Sequence, residues 1–145
     1  MKTLALYQYA DEHGIDVDWF LLSRAESLSA ELPDGHCVIA IDPTKIRSEA
    51  EHRVKLAHEI GHCERGAFYN PASPWDVRQR HENRANKWAI EKVIPEDELQ
   101  AAVADGCVEV WDLAERFGVT EDFMRTAICW YRFGTMDTRM YFGEG

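Results

Sequence analysis

Residues 58 to 62 read His58-Glu59-Ile60-Gly61-His62, and this run restricts the chain more than any other because its chemistry works only on a helix. The flanks, Glu49 to Lys55 before it and Cys63 to Arg65 after it, favour that conformation. Residues four apart lie one turn above another, so both imidazoles reach a single ion from one face. Glu59 sits about 100° round from His58, which directs its carboxylate beside such an ion, where a water would be. Val54, Ala57 and Gly61 form one apolar strip and Leu56, Ile60 and Cys63 another. The two histidines and Glu59 fill the remaining arc, so the helix is expected to be mostly buried, with a polar sector opening on a cleft. Gly61 costs about 1 kcal/mol relative to Ala in a helix interior, and close approach of a neighbouring backbone accounts for it. The plain alternative is a surface helix that carries two histidines by coincidence.

A third ligand must be His, Asp, Glu or Cys on an element able to pack against this helix. Position 68, where a metzincin would carry a third histidine, is Phe68. Glu82 is the best candidate. It opens the segment Glu82 to Ile90, in which Glu82, Ala85, Ala89 and Val93 share one helical stripe. Two alanines beside the carboxylate let this second helix lie against the Gly61 side of the first. His81 is the rival, but its side chain is turned about 100° from the small-residue stripe. The ordinary reading of Glu82 is a solvated first-turn carboxylate favoured by the helix dipole.

The His-Glu-Ile-Gly-His run, followed by Glu82-x-x-Ala85-Asn86-x-Trp88-Ala89 and a proline-closed Val93-Ile94-Pro95, resembles the ImmA/IrrE family of small zinc metallopeptidases. The likeness runs from about Gly14 to Leu99, more weakly to about Arg132, and the combined pattern is far more specific than the five-residue motif alone. It implies one Zn2+ held by His58, His62 and Glu82, with Glu59 as general base, in agreement with the helical geometry. It also implies a protein substrate, since several members are held to cleave helix-turn-helix repressors of prophages and mobile elements.

Three protein ligands leave one tetrahedral position for water, the mark of a catalytic rather than a closed structural zinc. Glu59 is then placed to take that water's proton and pass it to the leaving amine. The oxyanion needs a second donor; Tyr69, His81 and His52 are candidates that the sequence does not rank. The expected function is hydrolysis of a peptide bond in a specific protein. The rival is a regulatory protein that binds a repressor through the same fold without cutting it, which needs the cleft but not Glu59.

At 145 residues the chain fits one compact domain, read here as a sheet and ligand-bearing part over 1–95 and a helical part over 96–145. No stretch reaches the length of a membrane span, and Met1 to Gln8 breaks into polar residues too soon for a secretory signal, so a cytoplasmic location is expected. Cys37, Cys63, Cys107 and Cys129 are widely separated with no C-x-x-C pair. The expectation is therefore buried free thiols, without a disulfide framework or thiolate knuckle. A net charge of −10 disfavours nucleic acid. It would welcome a basic substrate segment, although solubility alone explains it. The oligomeric state stays open.

The expected fold class is α+β and zincin-like: several helices on a small antiparallel sheet, with a helical C-terminal part. Thr3 to His13 reads as a helix stopped at Gly14, and Ile15 to Arg24 as an extended edge or a short helix. Ser27–Glu31 and Cys37–Ile41 read as strands joined through Pro33-Asp34-Gly35. The resemblance to zinc peptidases suggests that a strand of this sheet holds extended substrate by backbone pairing; the plain alternative is a hairpin that only covers the helices. A long connection from Gly66 to Asp76, with Pro71 and Pro74, must begin and end near the metal. Its Phe68, Tyr69 and Trp75 are candidates for lining a substrate pocket, or for pinning the loop to the core. Helices follow over Glu96 to Ala104, Val110 to Phe117 and Glu121 to about Phe133, the last capped by Thr120. The last two resemble a helix-turn-helix, but Arg125 and Arg132 only balance Glu121 and Asp122, and a DNA reader needs a basic exposed helix. They are read as a packing pair.

Overall fold

The computed structural model describes residues 1–70 and 72–143, with Met140 described through its backbone only. Pro71, one of the two prolines expected in the ligand-to-ligand connection, lies outside the described residues. The elements run α1 (Thr3–Glu12), β1 (Asp16–Trp19), β2 (Ser27–Glu31), β3 (Cys37–Ile41), a 3-10 turn (Pro43–Lys45), α2 (Glu49–Arg65), α3 (Trp75–Val93), α4 (Glu96–Ala104), α5 (Val110–Phe117), α6 (Glu121–Phe133) and α7 (Arg139–Phe142). This is an α+β arrangement of helices on one three-stranded sheet.

The β2–β3 hairpin is antiparallel, with Ser29 opposite Ile39 and Ser27 opposite Ile41. Its turn follows the Pro33-Asp34-Gly35 chemistry, with Gly35 at φ 91°. The stretch that reads as an extended edge or a short helix is the strand β1, which pairs parallel to β3 and makes the sheet mixed, in the order β1-β3-β2. A parallel pair needs a long crossover between its strands, and here the β2 hairpin itself provides it. Period-two alternation sends Ile39 and Ile41 into the core against the helices, and on the same face of β2 it places Ser27 and Ser29.

The core is continuous from Leu6 on α1 through Leu56 and Ile60 on α2 and Ile90 on α3 to Met124 on α6. Asp42, at the exit of β3, is 2% exposed. Its carboxylate accepts from the Leu22 amide at 2.8 Å, the Thr44 amide at 2.9 Å and the Thr44 hydroxyl at 2.6 Å, so it fixes the chain's path into α2. The Thr44 hydroxyl first, and then the Leu22 amide, hold its pKa down to about 2.

One expectation is overturned here. Cys37 and Cys63 are joined by a disulfide, with Cα atoms 5.8 Å apart. Cysteine spacing along the chain says nothing about two residues that sheet-on-helix packing brings together: Cys37 opens β3 and Cys63 lies on the α2 face that packs against it. Cys107 and Cys129 are buried free thiols, as expected. Among the described residues no helix is long and apolar enough to cross a membrane.

Candidate metal centre

The helix α2 starts cleanly because the Ser48 hydroxyl caps the Glu51 amide and two glutamates occupy its first turn. It ends at Gly66, which takes the left-handed conformation and returns its N–H to the His62 carbonyl. Between these caps, α2 and α3 approach closely at Gly61. A Cβ there would stand 2.5 Å from the Ala85 carbonyl oxygen, so only glycine permits this separation. The small-residue stripe of α3 thereby sets the depth at which its carboxylate faces the histidines.

That carboxylate is Glu82. Its Oε2 lies 2.9 Å from His58 Nε2 and its Oε1 3.2 Å from His62 Nε2, and the two Nε2 atoms are 3.1 Å apart. These three side chains are the one group of potential ligands that converge in this way among the described residues. Helix α3 begins at Trp75 rather than at Glu82. Glu82 is therefore in the third turn, and the first-turn dipole no longer accounts for it.

The far nitrogens of both rings are already engaged. His62 Nδ1 donates to the Ala67 carbonyl at 2.6 Å, and His58 Nδ1 to Asn86 Oδ1 at 2.7 Å. A carbonyl oxygen only accepts, so each ring keeps a proton on Nδ1, which leaves Nε2 to donate to Glu82 when protonated or to offer its lone pair to a cation. Two such nitrogens and one carboxylate form a donor set that suits zinc, and the outer hydrogen bonds are the kind that orient ligating histidines. Burial opposes the charged form of Glu82, yet the hydrogen bonds from His58 and His62 outweigh it and hold its carboxyl well below the usual range. For His58 burial likewise disfavours charge, and Glu82 and Glu59 overcome it and raise its pKa.

Glu59 is 5% exposed and makes no bond to either histidine. The Ser27 hydroxyl donates to its Oε2 at 2.7 Å and the Ser29 hydroxyl to its Oε1 at 2.9 Å. Tyr69 reaches the site as well: its Oη donates to Glu82 Oε1 at 2.9 Å, and burial, then this bond, raise its pKa. His81 stacks beneath the Tyr69 ring, outside the ligand group, with a buried Nδ1 that has no partner among the described residues. Trp75 is 67% exposed at the start of α3 and does not line the cleft. His52 is turned to Tyr7 and Trp19, away from the cleft. Phe68 does line it, with its ring 6.3 Å from that of His62.

The cleft over these groups measures about 410 Å³ and is lined on one side by residues of β2, which is an edge strand with an unpaired backbone rim. The arrangement can hold a divalent cation, take a proton next to it on Glu59, and receive an extended chain along β2. Four contributors escape sequence reasoning. Asn86 lies one turn beyond Glu82, and that i,i+4 spacing is the signal that would have found it. Alternating serines on a strand facing the motif helix are a weaker signal for Ser27 and Ser29. The Ala67 carbonyl has no signature at all.

The family model for Peptidase_M78, the IrrE N-terminal-like domain, matches residues 10–128. Among solved structures, a Mycobacterium tuberculosis transcriptional regulator is similar with a TM-score of 0.65 and 16% identity, over 92% of this chain and 42% of that one. The likeness is therefore one of fold, and this chain spans less than half of that regulator's length. No curated protein gives a significant match.

Proposed function

The chain belongs to the Peptidase_M78 family of IrrE N-terminal-like domains, and from that premise we propose that it is a zinc-dependent endopeptidase acting on a specific protein, a helix-turn-helix repressor of a phage or mobile element. The observation that carries this reading is the pair of Nδ1-anchored histidines converging on Glu82, with Glu59 buried beside them. His58, His62 and Glu82 would hold the metal. When bound, zinc supplies Lewis acidity, lowering the pKa of an attached water to about 7 and polarising a peptide carbonyl.

The protein's own groups do the rest. Glu59 takes the proton of the attacking water and delivers it to the leaving amine. Tyr69, released from Glu82 as substrate arrives, donates its hydroxyl to the developing oxyanion. The edge of β2 receives the substrate backbone by strand addition, so that the scissile bond lies across the site. The excess of acidic residues favours a basic segment in that position. A cytoplasmic location and a single catalytic unit over 1–145 belong to the same proposal, and direct contact with nucleic acid is not part of it.

The test is incubation of the zinc-loaded protein with candidate helix-turn-helix repressors, comparing wild type with Glu59→Gln. Fragments from the wild type alone support the peptidase. Tight binding by both proteins without fragments replaces it with a non-cleaving regulator.

A further inference from the structure

Glu59 is a carboxylate held at the bottom of a cleft by a strand rather than by its own helix. Its two donors, Ser27 and Ser29, lie two residues apart on the inward face of β2, and each takes a different oxygen of the carboxylate, at 2.7 and 2.9 Å. The terminal torsion of a glutamate is soft, with a broad distribution about its axis. One donor would leave the carboxylate plane free to rock. Two donors fixed to consecutive inward positions of one strand define that plane. Each oxygen keeps a further lone pair, because a carboxylate offers about four acceptor sites, so the clamp does not consume the capacity of Glu59 to take a proton.

The same strand lines the cleft through Leu28, as does Glu26 just before it, and carries the sheet's free edge. Hydroxyls on its inner face and unpaired backbone groups along its rim thus belong to one rigid element. A substrate paired to that rim would find the base at a fixed offset, set by the strand register alone.

We propose that Ser27 and Ser29 are positioning residues for Glu59, locking its carboxylate in the orientation that meets the attacking water and tying that orientation to the strand that aligns the substrate. This rests on the peptidase reading. The alternative role for two such hydroxyls is to satisfy a buried charge and nothing more.

The experiment uses the full-length, zinc-loaded protein. A quenched-fluorescent decapeptide library is screened for cleavage that the wild type performs and Glu59→Gln does not, and the best peptide then carries the kinetics. Replacing both serines (Ser27→Ala with Ser29→Ala) is expected to lower kcat by about 10–100-fold, the scale of a displaced catalytic group, while KM stays within about twofold and zinc content is unchanged. The single change Ser29→Ala is expected to lose about 3–10-fold in kcat, which keeps the test alive if the double variant does not fold. Ser27→Thr with Ser29→Thr retains the hydroxyls, and β-branched residues suit a strand, so it should restore kcat to within about threefold. Wild-type kcat in the alanine variants, or failure of threonine to restore it, overturns the clamp while Glu59-dependent cleavage leaves the peptidase reading standing. Absence of any Glu59-dependent cleavage removes the peptidase reading, and the clamp's catalytic role with it.

Discussion

Where α2 meets α3, the interior contains Glu59 and His62, each 5% exposed, whereas every buried residue between Glu96 and Phe133 is apolar. At the first place burial is bought with hydrogen bonds from elsewhere: serines on β2, an asparagine on α3, a carbonyl in the loop after Gly66. At the second, Leu99, Leu113, Phe123 and Met124 simply fill space, and the Thr120 cap with Gly118 in the left-handed conformation turns α5 into α6. The contrast separates chemistry from stability. Polar groups in the ligand-bearing half are held in defined directions at some cost in desolvation. The helical half supplies apolar burial to the same continuous core.

If that separation is real, substitutions at the two ends should fail in different ways. Glu59→Gln keeps the volume but removes the proposed base; cleavage should fall by about 10²–10⁴-fold with zinc content and thermal stability little changed, measured by kinetics and metal analysis beside a melting curve. Met124→Ala should do the reverse. This fully buried side chain on α6 should cost about 2–5 kcal/mol of unfolding free energy, read from a urea titration, while the folded fraction retains its zinc affinity. Asn86→Ala is the intermediate case: it leaves the ligands in place but frees the His58 ring, and zinc affinity should drop by about 10–100-fold in a competition titration against a chromophoric chelator.

The smallest effect concerns acid. Asp42 titrates at about 2 in the folded protein against an ordinary 3.8, so its contribution is fully present above the unfolded value and is lost as pH falls through the folded one. Tm should therefore decline between about pH 4 and pH 2, and less steeply in Asp42→Asn. An equal slope in both proteins would remove Asp42 from the account.

The two ends also differ in how much of them the sequence reveals. The helical half was legible almost throughout, since Thr120, Gly106 and Gly118 are local signals that stop and start helices wherever they occur. In the ligand-bearing half the motif and the Gly61–Ala85 approach were legible for the same reason: helical periodicity is a local rule. The start of α3 was not, because residues 76–81 are mostly polar and show no apolar repeat. Strand β1 reads from sequence as an extended edge or a short helix, and its parallel pairing is a property of the crossover rather than of its own residues. Ser27, Ser29 and the Ala67 carbonyl depend on where tertiary packing sets a strand and a loop. The Cys37–Cys63 bond has the same origin.

The proposed peptidase stands or falls on one zinc ion held by His58, His62 and Glu82. Metal analysis of protein purified without added metal tests it directly, on the wild type and on His58→Ala. About one zinc per wild-type chain and almost none in the variant is the expected result. A wild type without zinc, or a variant with undiminished content, would contradict it.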